Sequence, residues 1–472
     1  MDKKDIFCDI VNCKCDKNFI NIKRIIMNSK EAEKDDLFVA IRGGNKFAGE
    51  ALENGAYAVY DDKELQIEEK FKGKAFYVKD SVEFLQEFAE KWRKNLNLKV
   101  IGITGSNGKT TVKDMIYHLL SVKYKGKKTE GNYNNHIGLP FTLLRAEKGD
   151  DFIILEMGMS GFGEIDLLGK ISSPDISVIT NIGESHLEFL KTKKNVFKAK
   201  TELIPHTKET LVINGDDEYL KDIDENSLKE RGLKTVKILN MGSNGNHMES
   251  AEKLAEQNND FYYGDIDFNE VETKFSLKYF DKNCKKWANK FYNTNVLGEH
   301  NILNLTIAVS VAKEMALEDD EIEKAVKDIV LTNMRFQIIT KGKTTYINDA
   351  YNASPMSMKK SLETFSKIYN DRKKIAVIGD MLELGEQEGE LHASIFDVIV
   401  NINLNKLYLY GPRMRFLYDR IRENSENENI RKIETEYFES KEQIKEKLEE
   451  IKEEKVVLIK ASRGMKLEEV ME

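Results

Sequence analysis

The chain of 472 residues has no long apolar run. No segment suffices to cross a bilayer, and the N-terminus, MDKKDIFCDIVNCKCDKNF, lacks the apolar stretch of a secretory signal. An excess of positive charge is also missing. The 73 Lys and Arg against 81 Asp and Glu leave a net charge of -8, which gives no reason to expect nucleic acid as a partner. A cytoplasmic protein is expected. Cysteine is scarce: Cys8, Cys13 and Cys15 lie close together and Cys284 stands apart. A zinc site wants a second cysteine pair or histidines at suitable spacing, so reduced thiols are expected. There is no internal repeat.

What is present suits folded cores. The hydrophobic share is 40% and the aromatic share 9%, and the length exceeds one ordinary core. Short apolar runs alternate with helical stretches: VIGITG (100–105), DFIILEMG (151–158), DISVITNIG (175–183) and LVING (211–215). That alternation implies βαβ units and a mainly parallel sheet. From about 255 to 297 the period becomes two, as in VETKFSLKYF, which predicts an antiparallel appendage. A second α/β series follows, with strands expected at 374–380, 406–411 and 455–461. The fold class is α/β in three domains. They are a small α/β domain at 1–96, a central, mainly parallel α/β domain at 97–330 and a Rossmann-like α/β domain at 331–472.

The stretch GITGSNGKTT carries the first chemistry. A glycine turn, Gly105-Ser106-Asn107-Gly108, follows a strand and opens a helix at Lys109, Thr110 and Thr111. Val112, Met115, Ile116, Leu119 and Leu120 mark one face of that helix. Backbone N–H groups and the helix dipole attract phosphate there, the lysine reaches outer phosphates, and the threonine hydroxyl suits Mg²⁺. The usual loop has a glycine five positions before its Gly-Lys pair, where this chain has Ile103. Glu156 ends a buried apolar strand, a place where a carboxylate needs a partner or a metal. His186 lies beyond the next strand and Lys200 a short helix later. Taken singly, a lone histidine is more often structural and a helical lysine is a surface residue.

Taken together, GITGSNGKTT, GNYNNHIGLP, LEMGMSGFGEI, TNIGESHLEFL, AKTEL, LGEHNILN, INDAYNASPMSM and KASRGMKLEEV resemble the Mur ligases over essentially the whole chain. The short phosphate loop is that family's own form. INDAYNASP resembles the members that add D-alanyl-D-alanine rather than those that add earlier peptide residues. The resemblance implies ATP-dependent amide formation on UDP-N-acetylmuramoyl-tripeptide through an acyl phosphate, by a monomer. It implies that Lys109 grips phosphate, that Thr110 and Glu156 hold one Mg²⁺, and that His186 ligates a second beside a carbamylated Lys200. Asn301 resembles an adenine contact, although a polar residue there could equally cap the helix. Arg335 and Asp349 look like contacts to the phosphates and ribose of ATP, and Asn134, Asn135 and Ser29 like contacts to the muramoyl substrate. Ser29-Lys30 and Ala48-Gly49-Glu50 depart from the family's Ser-Arg and Asp-Gly-His, and Ala461 stands where glycine is usual. Rival readings are another amide ligase of the superfamily, a P-loop kinase or NTPase switch, and a non-catalytic nucleotide-binding scaffold.

Overall fold

A computed structural model of the chain describes residues 1–12, 20–242, 259–281 and 284–472. Two compact units divide it: residues 1–104, 123–177 and 202–210 form one, and residues 105–122, 178–201 and 211–472 form the other.

In the first unit β1 (Ile25–Ile26), β2 (Leu37–Val39), β3 (Tyr57–Tyr60) and β4 (Ala75–Tyr77) form a parallel sheet in that order. Phe38, Ala58, Ala48, Ala51 and Leu52 fill its core. A helix, Ser81–Arg93, follows. Its N-cap Asp80 accepts from the N–H groups of Val82 and Glu83, and Phe84, Leu85, Phe88, Ala89 and Trp92 recur on its buried face. It ends at Arg93. Then come β5 (Lys99–Thr104), β6 (Gly126–Lys128) and β7 (Phe152–Glu156), all parallel, with β7 between the other two. Every residue of β7 is buried. A continuous apolar run is what a parallel strand covered on both faces requires.

The second unit holds half of β8 (Ile176–Ile179) and most of β9 (Thr210–Asn214), followed by β10 (Lys234–Asn240), β11 (Phe261–Phe268), β12 (Thr273–Asp281) and β13 (Lys286–Thr294). β11, β12 and β13 are antiparallel neighbours, as the period-two pattern predicts. Phe275 stacks on Tyr292 across the ladder with ring centroids 5.4 Å apart. The last sheet runs β14 (Gln337–Lys341), β15 (Thr344–Asn348), β19 (Lys455–Lys460), β16 (Lys373–Gly379), β17 (Lys406–Tyr410) and β18 (Glu434–Phe438). Only its edge strand β14 is antiparallel. Ala376, Ile378, Leu407 and Leu409 pack into one core, and Ile375, Val377 and Tyr408 into another. Strict alternation between two apolar faces is the mark of a sheet covered on both sides. The lysine- and glutamate-rich stretch near the C-terminus forms a helix, Lys441–Glu450, that buries only Ile444 and Leu448.

Cys8 is buried and Cys284 exposed, both as free thiols. Cys13 and Cys15 lie outside the described residues. No helix among the described residues is long and apolar enough to cross a membrane.

Candidate active site

β5 runs straight into the glycine loop, and the helix Lys109–Leu120 starts at the loop's end. Two positions there exclude a side chain. Gly105 has φ +148°, and a Cβ on it would sit 1.9 Å from the Thr180 hydroxyl. Gly108 has φ +82°, and its Cβ would lie 2.7 Å from Asn304 Oδ1. Gly108 is also the N-cap and has no side chain to spend on the helix N–H groups. That leaves a backbone terminus suited to phosphate. Lys109 Nζ donates to the carbonyls of Gly105 at 2.7 Å and Ser106 at 3.4 Å, which holds the ammonium on its own loop. Thr110 and Thr111 are buried beneath it.

The TNIGES segment straps the loop in place. Ser106 N–H donates to the Asn181 carbonyl (2.9 Å), Asn107 N–H to Asn181 Oδ1 (2.9 Å), and Thr180 Oγ1 to the Asn107 carbonyl (2.6 Å). Ser185 Oγ donates to Ser106 Oγ at 2.9 Å. From the last α/β series, Ser354 Oγ donates to Asn107 Oδ1 at 2.9 Å. Ser354 is also the N-cap of the helix Pro355–Lys367, with proline at its first position. The INDAYNASPM segment thus ends on the phosphate loop. Asp114 adds a second tie, accepting from the N–H of Thr332 at 3.3 Å and from the Thr332 hydroxyl.

Asn301 is buried, and its Nδ2 donates to the Leu297 carbonyl at 2.8 Å. It is not the helix cap, which is Gly298. Its Oδ1 accepts from Asn304, and Asn304 in turn backs Gly108. In Asp349, Oδ2 accepts from Lys460 Nζ (2.6 Å) and Ser361 Oγ (2.9 Å), and Oδ1 from the Phe336 N–H (3.2 Å). Arg335 sits between two left-handed residues, Met334 (φ +63°) and Phe336 (φ +54°), with its guanidinium 4.0 Å above the Tyr351 ring. Its buried Nε has no hydrogen-bond partner among the described residues. A buried, unpartnered guanidinium N–H fits a phosphate oxygen.

Lys200 is 1% exposed, on the face of the helix Lys193–Thr201 that also buries Val196 and Ala199. Burial, and then the neighbouring Lys109 ammonium, push its amine well below the ordinary lysine value. His186, at φ +55°, opens the short helix Leu187–Leu190. Its buried Nδ1 lies 2.8 Å from Glu383 Oε2 but off the line of the ring N–H, so the contact is electrostatic more than a formed hydrogen bond. Glu383 is held below the usual carboxylate range, first by His186 and also by Lys109.

In the first unit Glu156 ends β7 in register with Ile103 of β5. Its N–H donates to Thr129 Oγ1, and its Oε1 accepts from Asn134 Nδ2 at 3.2 Å. Asn135 spends its side-chain oxygen locally, accepting from the N–H groups of Ile137 and Gly138 at the start of the helix Gly138–Leu144. Ser29 donates to Glu50, so the residue that departs from the family pattern is the one that engages it.

Among the described residues no three His, Cys, Asp or Glu side chains converge as a metal cluster. Of the candidate ligands, the second unit carries the Thr110 hydroxyl, the His186 imidazole and Lys200, and the first carries the Glu156 carboxylate. Hydroxyl and carboxylate oxygens suit Mg²⁺, and a buried lysine with no acidic partner among the described residues fits conversion to an anion. Sequence reasoning missed Thr180, Asn181, Asn304, Ser354, Lys460 and Glu383. The first four and Lys460 lie in motifs that it quoted, but their roles depend on partners distant in the chain.

A glycine phosphate loop on a mainly parallel sheet, clasped by a second α/β series, defines a nucleotide-binding enzyme of several α/β layers. The chain matches the Mur ligase middle domain over residues 103–312 and the Mur ligase glutamate ligase domain over residues 334–463. It is 34% identical over 457 residues to the UDP-N-acetylmuramoyl-tripeptide–D-alanyl-D-alanine ligase of Bacillus subtilis, covering 95% of this chain and 92% of that one. The enzyme of the same name from Rickettsia prowazekii is 32% identical, with 96% of both chains covered. Among solved structures, MurF from Acinetobacter baumannii superposes with a TM-score of 0.80 at 25% identity, covering 95% of this chain and 92% of that one. MurF from Thermotoga maritima in complex with ADP gives 0.78 at 29% identity, covering 95% and 96%. The chain belongs to the Mur ligase family.

Proposed function

We propose that the chain joins D-alanyl-D-alanine to UDP-N-acetylmuramoyl-tripeptide at the expense of ATP, in cytoplasmic peptidoglycan precursor synthesis. The observation that carries this reading is the INDAYNASPM segment seated on the phosphate loop through Ser354 and Asn107. A kinase or NTPase switch needs no such clasp. The sequence of that segment separates this activity from those of the sister ligases, and the relatives matched over nearly the whole chain carry the same name.

In the reaction, a terminal carboxylate oxygen of the tripeptide attacks the γ-phosphorus of ATP and ADP leaves. The amine of the dipeptide then attacks the acyl carbon, loses a proton and expels phosphate, leaving an amide. The loop N–H groups and Lys109 hold the transferring phosphoryl group, with Arg335 supplying a further cation. Magnesium, when bound, neutralises phosphate charge; Thr110, Glu156, His186 and Lys200 are the residues that would hold it. Lys200 is read as carbamylated, its amine adding to CO₂ with loss of a proton. Asn301 and Asp349 are assigned to adenosine, and Asn134, Asn135 and Ser29 to the muramoyl substrate. Asn134 then acts on Glu156 as well. Residues 1–96 receive the uridine nucleotide, 97–330 the ATP and 331–472 the acceptor amine, in a monomer that binds neither nucleic acid nor membrane. The ends of the matched family domains support these divisions.

The intermediate gives the test. With ATP, magnesium and tripeptide nucleotide but no amine, borohydride should reduce the activated terminal carboxyl to an alcohol detectable by mass. ADP formation with no reducible acyl species would contradict the mechanism.

A further inference from the structure

The GDMLELG loop, which follows β16, reaches the short helix that begins at His186. Gly385, at φ +64°, is packed so closely that a Cβ would meet the Glu188 Cα at 2.9 Å and its N at 3.1 Å. The Glu188 N–H points to the Glu383 carbonyl at 3.4 Å. Glu383 itself is at φ +65°, a conformation that a glutamate adopts only under local constraint. That backbone puts its carboxylate 2.8 Å from His186 Nδ1. Two left-handed, non-glycine residues from distant parts of the chain therefore meet side chain to side chain.

An imidazole that ligates a metal through one nitrogen is usually fixed by a carboxylate or carbonyl at the other. We propose that Glu383 is the positioning residue for His186. The nearby carboxylate charge favours the proton on Nδ1 and leaves Nε2 as the ligating atom, so docking of the GDMLELG loop sets the strength of the His186 ligand. This rests on the reading of His186 as a magnesium ligand. Because the loop belongs to the series assigned to the acceptor amine, the contact ties the seating of that series to the metal.

The test uses the full-length protein with ADP and Mn²⁺, an ion whose binding electron paramagnetic resonance reads directly. Glu383→Gly removes the carboxylate while suiting the backbone angle, and Glu383→Gln keeps an acceptor oxygen. Mn²⁺ affinity at the His186 site should fall about 10- to 100-fold in Glu383→Gly and recover most of that in Glu383→Gln. ¹⁵N-histidine spectra should show the Nδ1–H tautomer of His186 in the parent and a mixture in Glu383→Gly. Adding Glu383→Gly to His186→Ala should change nothing further. Unchanged affinity and tautomer in a folded Glu383→Gly protein would overturn the proposal while leaving His186 a ligand. If His186→Ala itself leaves every Mn²⁺ site intact, the ligand reading fails first and the proposal with it.

Discussion

Lys200 has a side chain that is almost wholly buried, and no hydrogen bond or ion pair holds it among the described residues. An ammonium held there, next to Lys109, costs more than one in water, and the amine is driven towards its uncharged form. Conversion to a carbamate replaces a buried, unpaired cation with oxygens that a divalent ion accepts. We therefore expect ¹³C-bicarbonate to give a carbamate resonance that disappears in Lys200→Ala. That variant should lose most of its activity, with partial return on adding a short carboxylate such as acetate. A fully active Lys200→Ala protein with no carbamate signal in the parent would return Lys200 to a packing role. Ser29 and Asn135 make the opposite point. Ser29 donates to Glu50, and the Asn135 oxygen accepts from the N–H groups of Ile137 and Gly138. A polar residue in a quoted motif can thus have its hydrogen bonds met within the protein.

At the scale of elements, Ser354 joins the phosphate loop to the helix Pro355–Lys367, beside a weaker contact from Asn107 Nδ2 to Met356 Sδ at 3.9 Å. Ser354 caps that helix and donates to Asn107, so Ser354→Ala removes a cap worth about 1 kcal/mol and one further hydrogen bond. ADP affinity, measured by calorimetry, should fall roughly fivefold in Ser354→Ala and similarly in Asn107→Ala. The double variant should be little worse than either single one, because both remove the same bond. Strictly additive losses would show that the clasp does not act through this pair. The strands themselves were legible. LVING, KIAVIGD and KVVLIKA fall within a residue or so of β9, β16 and β19, because short apolar runs bounded by glycine, charge or turn residues have few alternatives. The glycine loop was legible for the same reason, since a strand, two glycines and an amphipathic helix fix its backbone. Glu383 on His186, Asn304 behind Gly108 and Asn181 under the loop were not. Those contacts join residues far apart in sequence, and no local period encodes them.

At the scale of the whole molecule, each part serves one requirement: an acyl phosphate must form and meet an amine before water does. On the proposed reading the phosphate loop and Arg335 are assigned to the phosphoryl group, and the last α/β series, clasped to that loop by Ser354, to the amine. Which amine is used is therefore the central claim. The direct measurement is phosphate release from ATP and magnesium with two nucleotide substrates and a panel of amines. The account predicts release with UDP-N-acetylmuramoyl-tripeptide that rises many-fold on adding D-alanyl-D-alanine and hardly at all with free diamino acids. Release from the dipeptide nucleotide driven by meso-diaminopimelate or lysine, with D-alanyl-D-alanine inert, would contradict it and assign the chain to the preceding step.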